Sequence, residues 1–156
     1  MFEEDDDDDL RKPEQLPIYK KGMEIFDIVK TMTDLIPKDN EHLQITKGFM
    51  LEDASNLTVK VAGAEGGDLY DIRMECATII RKSARDLVVQ LNSLEMFGFE
   101  EVQYFDLLRR EVEEYRLLYI EWLESFDPWN YIIDRWGLFN PPGIGPFDED
   151  PDDSME

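Results

Sequence analysis

The chain has one cysteine and one histidine in 156 residues, and this scarcity excludes several kinds of site. Cys76 has no partner within the chain for a disulfide, and a cysteine-rich zinc site needs more thiolates. No motif links His42 to Cys76, so no Cys-His or Ser-His-Asp arrangement can be inferred. A di-iron bundle needs Glu-x-x-His pairs on two helices, which one histidine cannot supply. These absences predict a protein that is not an enzyme and holds no metal or cofactor.

Long apolar runs and a cationic leader are also missing. No stretch approaches the 18 apolar residues of a membrane span, and the N-terminus is anionic where a secretory signal requires cations. The glycine-rich stretch at 63–67 lacks the Lys-Ser/Thr pair of a phosphate-binding loop. We therefore expect a cytoplasmic protein with no membrane partner.

Basic residues are few, 16 against 37 acidic ones, which gives a net charge of −21. Many of the carboxylates lie in two runs, at 3–9 and 148–156, that contain no Lys or Arg. Such runs cannot bury enough apolar surface to fold, so we predict disordered acidic tails at 1–15 and 148–156. The negative surface also disfavours direct nucleic-acid binding, because phosphates repel it.

Helical periodicity is what the sequence has in abundance. Apolar residues recur at steps of three and four in four long stretches, and 42% of all residues are hydrophobic. This pattern predicts an all-α fold: an antiparallel, up-down-up-down four-helix bundle over residues 16–126. The short connections between the stretches favour antiparallel neighbours.

Local signals place the first two helices. The first begins at Pro17, where proline loses no needed donor, and ends at Pro37. The second spans about 40–64, and either Asp39 or Asn40 can cap its N-terminus.

The third and fourth helices meet at a turn over residues 95–99. Asp68 is placed to cap the third helix, and the fourth restarts after Gly98. The predicted buried seams are Tyr70, Ala77, Ile80, Ala84, Leu87, Leu91 and Leu94 in the third helix, and Phe105, Leu108, Val112, Tyr115, either Leu118 or Tyr119, Trp122 and Phe126 in the fourth.

The composition changes after the bundle, where residues 127–147 are rich in aromatic side chains. Asp127 and Pro128 are typical of the N-cap and first position of a helix, and Gly137 is typical of a residue that ends one. A short fifth helix is therefore predicted over 128–136. Large aromatics either pack against their own bundle or dock on another subunit or protein. The predicted partner-binding residues are Trp129, Ile132, Ile133, Trp136, Leu138 and Phe139.

The third helix carries a second apolar stripe beyond its seam. A helix that is apolar on two sides needs two neighbours, one of which can belong to another subunit. The predicted homo-oligomer interface consists of Ile72, Ile79, Val88 and Val89.

A basic cluster, Arg81, Lys82 and Arg85, follows on the same helix. Spacings of three and four place pairs of these side chains on a shared face, which could contact phosphates. The alternative is that they pair with glutamates of neighbouring helices or subunits.

Three short strings resemble the bacterial four-helix-bundle family named for proteins encoded in intervening sequences of the 23S rRNA gene, also called ribosomal S23-like. They are Leu16-Pro17-Ile18-Tyr19-Lys20-Lys21, Val61-Ala62-Gly63-Ala64-Glu65-Gly66, and Leu94-Glu95-Met96-Phe97-Gly98-Phe99 leading into Tyr104-Phe105-Asp106-Leu107-Leu108. Together they cover about residues 16–125.

This resemblance implies a bundle that self-associates, since members of that family form rings of five. It also implies that one branch assists a reverse transcriptase through a basic surface. The present chain departs from the family in its acidic surface, in the residues before Glu65-Gly66, and in its aromatic C-terminal segment.

The leading functional hypothesis is a non-catalytic, homo-oligomeric scaffold or adaptor that binds an unidentified protein. The family resemblance implies that the oligomer is a pentamer. Two alternatives stay open. One is an acidic nucleic-acid mimic that inhibits a nucleic-acid-binding protein, and the other is an RNA- or ribosome-associated accessory protein.

Overall fold

The computed structural model describes residues 12–151, and within them the chain is helical without any strand. The elements are a 3-10 turn at Pro13–Gln15 and four helices, α1 (Pro17–Thr33), α2 (Glu41–Gly66), α3 (Tyr70–Met96) and α4 (Gln103–Glu124). The predicted all-α helical bundle is confirmed at this level. Most of the predicted tails, residues 1–11 and 152–156, lies outside the described residues.

The start of α1 is as predicted, but its end is not. Pro17 occupies the first turn, whereas the helix stops at Thr33 and not at Pro37. Leu35 and Ile36 leave it in a tighter turn, with their N–H groups bonded to the carbonyls of Met32 and Thr33. The residue before a proline disfavours helical backbone, so the helix must end earlier.

Asn40 is the N-cap of α2. Its Oδ1 accepts the N–H of Leu43 at 3.1 Å, which decides between the two predicted caps, Asp39 and Asn40. The helix extends to Gly66, two residues beyond the predicted end.

The predicted cap of α3, Asp68, is wrong. The helix begins at Tyr70 without a side-chain cap, and Asp68 instead forms an ion pair with Arg73 at 2.8 Å. The N–H of Tyr70 donates to the carbonyl of Asn130 at 2.9 Å, while Asn130 Nδ2 donates to the carbonyl of Asp68 at 2.7 Å. The C-terminal segment therefore satisfies a donor that this helix end leaves open.

The core lies where the predicted seams meet. Burial of each large side chain contributes about 1.5–3 kcal/mol. The buried members of the α3 and α4 seams are Ala77, Ile80, Leu87, Leu91, Leu94, Phe105, Leu108, Tyr115, Trp122 and Phe126. Tyr70, Ala84 and Val112 are only half-buried.

Helices α1 and α2 approach closely at Gly22. A Cβ atom at this position would lie 2.9 Å from the carbonyl oxygen of Leu57 and 2.9 Å from Cγ2 of Thr58. Only glycine fits there without moving a helix, so Gly22 sets the separation of the two backbones.

Polar groups from α4 are satisfied inside the bundle by α2. The Tyr115 hydroxyl donates to the Leu57 carbonyl at 2.8 Å, and Trp122 Nε1 donates to Glu65 Oε1 at 2.7 Å. Burial raises the pKa of Tyr115, so the phenol stays a neutral donor. These bonds hold α4 in register with α2.

The predicted fifth helix over 128–136 is absent from the described chain. Asp127 does cap a turn, because its Oδ1 accepts the N–H of Trp129 at 3.0 Å, but no helix follows. Residues 128–151 form successive turns instead, and hydrogen bonds from side chains such as Asp134 and Asn140 stabilise them.

Candidate functional site

Helices α3 and α4 do not close against each other along their middle, and a groove of about 600 Å³ lies between them. Small or β-branched side chains face the gap, namely Ala84, Val88 and Val112, and they cannot fill the space between two helices. The groove is lined by Ile80, Arg81, Ala84, Arg85, Val88, Val89, Val112, Glu113, Tyr115, Arg116, Tyr119 and Ile120.

The surface of the groove is mostly apolar. Val89 and Ile120 are 60% and 42% exposed, while Ile80 forms part of its buried floor. Tyr119 crosses the gap, and its hydroxyl donates to the Ala77 carbonyl at 2.7 Å. An open apolar surface of this kind, with few polar groups, is typical of a binding site.

The predicted oligomer-interface residues divide between two places. Val88 and Val89 line the groove. Ile79 is half-buried and does not line it, and Ile72, 39% exposed, lies beside Gly67 at the start of α3. The structure thus joins only two of the four residues in one site.

The predicted basic cluster lies along one side of the groove. Arg81 and Arg85 line it, and among the described residues neither forms an ion pair. Lys82 pairs with Asp86 on its own helix, and not with a glutamate of a neighbouring helix as the alternative interpretation expected. The pairing raises the pKa of Lys82.

Arg116 contributes a third arginine from the opposite helix. It pairs with Glu113 at 2.5 Å, one turn earlier in α4, and both side chains are more than half exposed. With Arg81 and Arg85 it gives an arginine on each side of an apolar groove. An exposed pair of this kind is worth little, so Arg116 can exchange partners at low cost.

The C-terminal segment is organised by one carboxylate. Asp134 Oδ1 accepts the N–H of Trp136 at 3.0 Å, and Oδ2 accepts those of Leu138 and Phe139 at 2.9 and 2.8 Å. The N–H of Phe139 first, and those of Trp136 and Leu138 with it, lower the pKa of Asp134. Gly137, at φ 75°, gives the left-handed turn that this arrangement needs.

A second set of bonds ties the beginning of the segment to its end. Asn140 accepts the N–H of Asp134 and donates to its carbonyl, at 2.8 and 3.0 Å. Asp150 accepts the N–H of Ile133 at 2.8 Å and pairs with Arg135 at 3.2 Å. Side chains therefore occupy the backbone groups that a helix over 128–136 would have paired, which explains its absence.

Residues 148–151 are part of this folded segment, which corrects the prediction of a disordered tail beginning at 148. Asp148 Oδ2 accepts the N–H of Gly145 at 2.8 Å, and the Arg135 guanidinium donates to the carbonyls of Pro146 and Asp148. The first carboxylates of the acidic run are structural. We call residues 127–151 the aromatic segment.

The aromatic segment leaves most of its large side chains in solvent. Trp136 and Phe147 are each 96% exposed, Leu138 is 72% exposed and Trp129 59%. Ile132 is also exposed, and Phe139 is half-buried. Ile133, also predicted as a contact residue, is only 5% exposed and so is buried within the single chain.

The lone histidine and cysteine have structural contacts. His42 lies against the Phe97 ring, with 3.9 Å between ring centroids. Cys76 is half-buried near Gly63, and burial raises its pKa, which disfavours the reactive thiolate. In residues 12–151 no group of three or more His, Cys, Asp or Glu side chains could hold a metal ion. No described helix is both long and apolar enough to cross a bilayer.

A scan against protein-family models and searches of curated proteins and of solved structures found no match to this chain. The resemblance to the 23S intervening-sequence family stays a prediction.

Proposed function

We propose that this protein is a non-catalytic, homo-oligomeric helical-bundle scaffold that holds copies of itself and a protein partner together. The observation that carries the proposal is the presence of two uncovered apolar surfaces on one folded chain. One is the groove between α3 and α4, and the other is the aromatic segment, where Trp136 and Phe147 are almost fully exposed.

The size of the second surface supports association. Each large aromatic side chain buries about 150–250 Å² when it is covered, and the largest apolar patch on a monomer is typically about 300–600 Å². Trp129, Trp136, Leu138 and Phe147 are exposed within twenty residues of sequence. Such a concentration of apolar side chains is typical of an interface.

The up-down-up-down order belongs to the same proposal. Two hydrogen bonds from α4 to α2 advance in step, from Tyr115 with Leu57 to Trp122 with Glu65. This is the relation between helices that run in one direction, as the second and fourth helices of such a bundle do. The connections between consecutive helices are short, which favours antiparallel neighbours.

Light scattering coupled to size exclusion, over a wide range of protein concentrations, tests the proposal. We expect masses that are multiples of 18.4 kDa. A variant with Trp136→Ala and Phe147→Ala should self-associate more weakly while its helical content is kept, because both side chains are 96% exposed. A wild-type protein that stays at 18.4 kDa at the highest concentration would contradict the proposal.

Point substitutions are better than deletion of the aromatic segment. Asn130 accepts the N–H of Tyr70 and donates to Asp68, so a deletion would also open the start of α3. Loss of binding after a deletion could then reflect a damaged bundle.

A second candidate function, contact with RNA phosphates, is favoured by one observation. Arg81 and Arg85 are exposed one turn apart and form no ion pair within the described residues. An RNA-associated accessory protein would bind less tightly as salt rises, and Arg81→Glu with Arg85→Glu would abolish that binding. RNA binding that is unaffected by salt and by these two substitutions would exclude this candidate function.

A further inference from the structure

We propose that the groove between α3 and α4 receives the aromatic segment of a second copy of this chain. The inference rests on the self-association proposed above and specifies the two surfaces that meet. Each copy offers one groove and one aromatic segment, so the contact runs head to tail.

The groove is large enough to receive apolar side chains. The groove measures about 600 Å³, within the ordinary range of about 300–1,000 Å³ for sites that enclose a compact apolar ligand. Its valines and Ile120 give it an apolar lining. Trp136 and Phe147, each 96% exposed, are the side chains that would lose most solvent contact on entering it.

The charges of the groove and of the aromatic segment are complementary. The groove carries Arg81 and Arg85 on α3 and Arg116 on α4 in a chain with a net charge of −21. Phe147 is followed directly by Asp148-Glu149-Asp150, and the acidic sequence continues to the C-terminus. Two such acidic chains repel each other in most orientations, so the arginines favour approach by the acidic aromatic segment.

Glu149 is available for such a contact. Asp148 bonds to Gly145 and Asp150 to Ile133 and Arg135, whereas among the described residues Glu149 forms no ion pair. Its carboxylate follows two residues after the exposed Phe147 ring. A segment that presents an aromatic ring beside a carboxylate matches an apolar groove flanked by arginines.

Occupation by the chain's own aromatic segment is disfavoured. The segment is bonded to the start of α3 by Asn130, which accepts the N–H of Tyr70 and donates to the carbonyl of Asp68. The groove begins at Ile80, ten residues and about 15 Å further along the helix axis. Both surfaces are accordingly uncovered in a single copy.

A contact between two different patches of one chain has consequences for assembly. It generates a ring if the rotation between copies closes, and an open fibre if it does not. The number of copies follows from that rotation.

The test mixes two variants of the full chain. The groove variant, Arg85→Glu with Val89→Glu, keeps an intact aromatic segment, and the segment variant, Trp136→Ala with Phe147→Ala, keeps an intact groove. All four side chains are exposed, so both variants should fold. Each alone should associate at least about thirtyfold more weakly than wild type, and the association of wild type should weaken with salt.

The mixture gives the decisive result. One intact groove and one intact aromatic segment remain, so we expect a 1:1 heterodimer of twice the 18.4 kDa mass that does not grow further. Matched controls are Leu117→Glu on α4 and Phe49→Ala on α2, exposed apolar residues outside both surfaces, and they should leave association unchanged.

Three results would overturn the inference. Association that survives in both variants would leave self-association standing but assign it to other surfaces. Two monomeric variants that stay monomeric when mixed would show that the groove and the segment do not meet. A wild-type chain that never associates would remove the proposed function and this inference together.

Discussion

Trp122 and Trp136 lie fourteen residues apart in the sequence and have opposite environments. Trp122 is 6% exposed, packs against the edge of Phe126 and donates its indole N–H to Glu65. Trp136 is 96% exposed. The same residue type thus forms part of the core in α4 and an open surface in the aromatic segment.

The difference lies in what stabilises each region. The bundle is stabilised by the burial of apolar side chains in a shared core, and its backbone N–H and C=O groups are hydrogen-bonded within each helix. In the aromatic segment, the side chains of Asp134, Asn140 and Asp150 accept hydrogen bonds from backbone N–H groups. Ile133 is the buried one of its large apolar side chains. A segment that is folded by polar bonds can leave its aromatics free for a partner.

The largest expected effect is a difference in the free energy of unfolding between substitutions in the bundle core and in the aromatic segment. Leu87→Ala removes a fully buried side chain and leaves a cavity, so the free energy of unfolding should fall by about 2–5 kcal/mol. Leu138→Ala, at a position 72% exposed, should change it by less than about 0.5 kcal/mol. Denaturant unfolding followed by circular dichroism measures both. Equal losses would mean that the aromatic segment is part of the same core.

A smaller effect tests the closeness of α1 and α2. Gly22→Ala places a methyl group 2.9 Å from the Leu57 carbonyl, and the overpacking should cost about 1–3 kcal/mol of unfolding free energy. Gly48→Ala is the matched control, because it is helical, exposed and has open space around it. It should stabilise the protein by up to about 1 kcal/mol. A stabilising Gly22→Ala would mean that the helices are further apart.

Loss of the α2 cap should cost less. Asn40→Ala leaves the N–H of Leu43 without its acceptor, for a loss of about 1 kcal/mol in thermal or denaturant unfolding. Asp39→Ala is the neighbouring control and should be close to neutral. The reverse order would place the cap on Asp39.

The smallest effect is confined to the aromatic segment. Asp134→Asn replaces one acceptor oxygen by a donor, so amide hydrogen exchange should accelerate at Trp136, Leu138 and Phe139. The thermal midpoint of the bundle should not move. A global loss of stability would show that segment and bundle unfold as one unit.

Acid should reproduce this local change in the wild-type chain. The pKa of Asp134 is lowered in the folded state, so its contribution is complete above the ordinary aspartate pKa and is lost as pH falls through the lower, folded value. A loss of protection at the same three amides, measured as the exchange rate relative to that of an unfolded peptide at the same pH, is expected with falling pH, and Asp134→Asn should abolish that dependence. A dependence that persists in the variant would point to other carboxylates.

Periodicity was sufficient to predict the helices and the core. Leu87 and Trp122 are buried because steps of three and four place them on one face, and this pattern depends on the whole segment. Asn40 was one of two local candidates, since only the backbone geometry selects between adjacent caps. Local signals are weaker because tertiary contacts can replace them, as Asn130 replaces the cap at Tyr70.

The fold of the aromatic segment could not be predicted from periodicity and local helix signals. Asp127-Pro128 is a real turn signal, but Asp134 accepts backbone donors up to five residues ahead and redirects the chain. An Asp followed by Gly137 and Asn140 is typical of side-chain-stabilised turns, and this signal could have found it. The groove required coordinates, because a gap beside Ala84 depends on how two helices pack.

Oxidative footprinting of the wild-type protein over a range of concentrations tests the central claim most directly, by measuring how fast individual side chains react. The account predicts that Trp136 and Val89 become protected together as concentration rises, while Met96, 77% exposed and outside both surfaces, reacts at a constant rate. Unchanged oxidation of Trp136 at the highest concentration would contradict it.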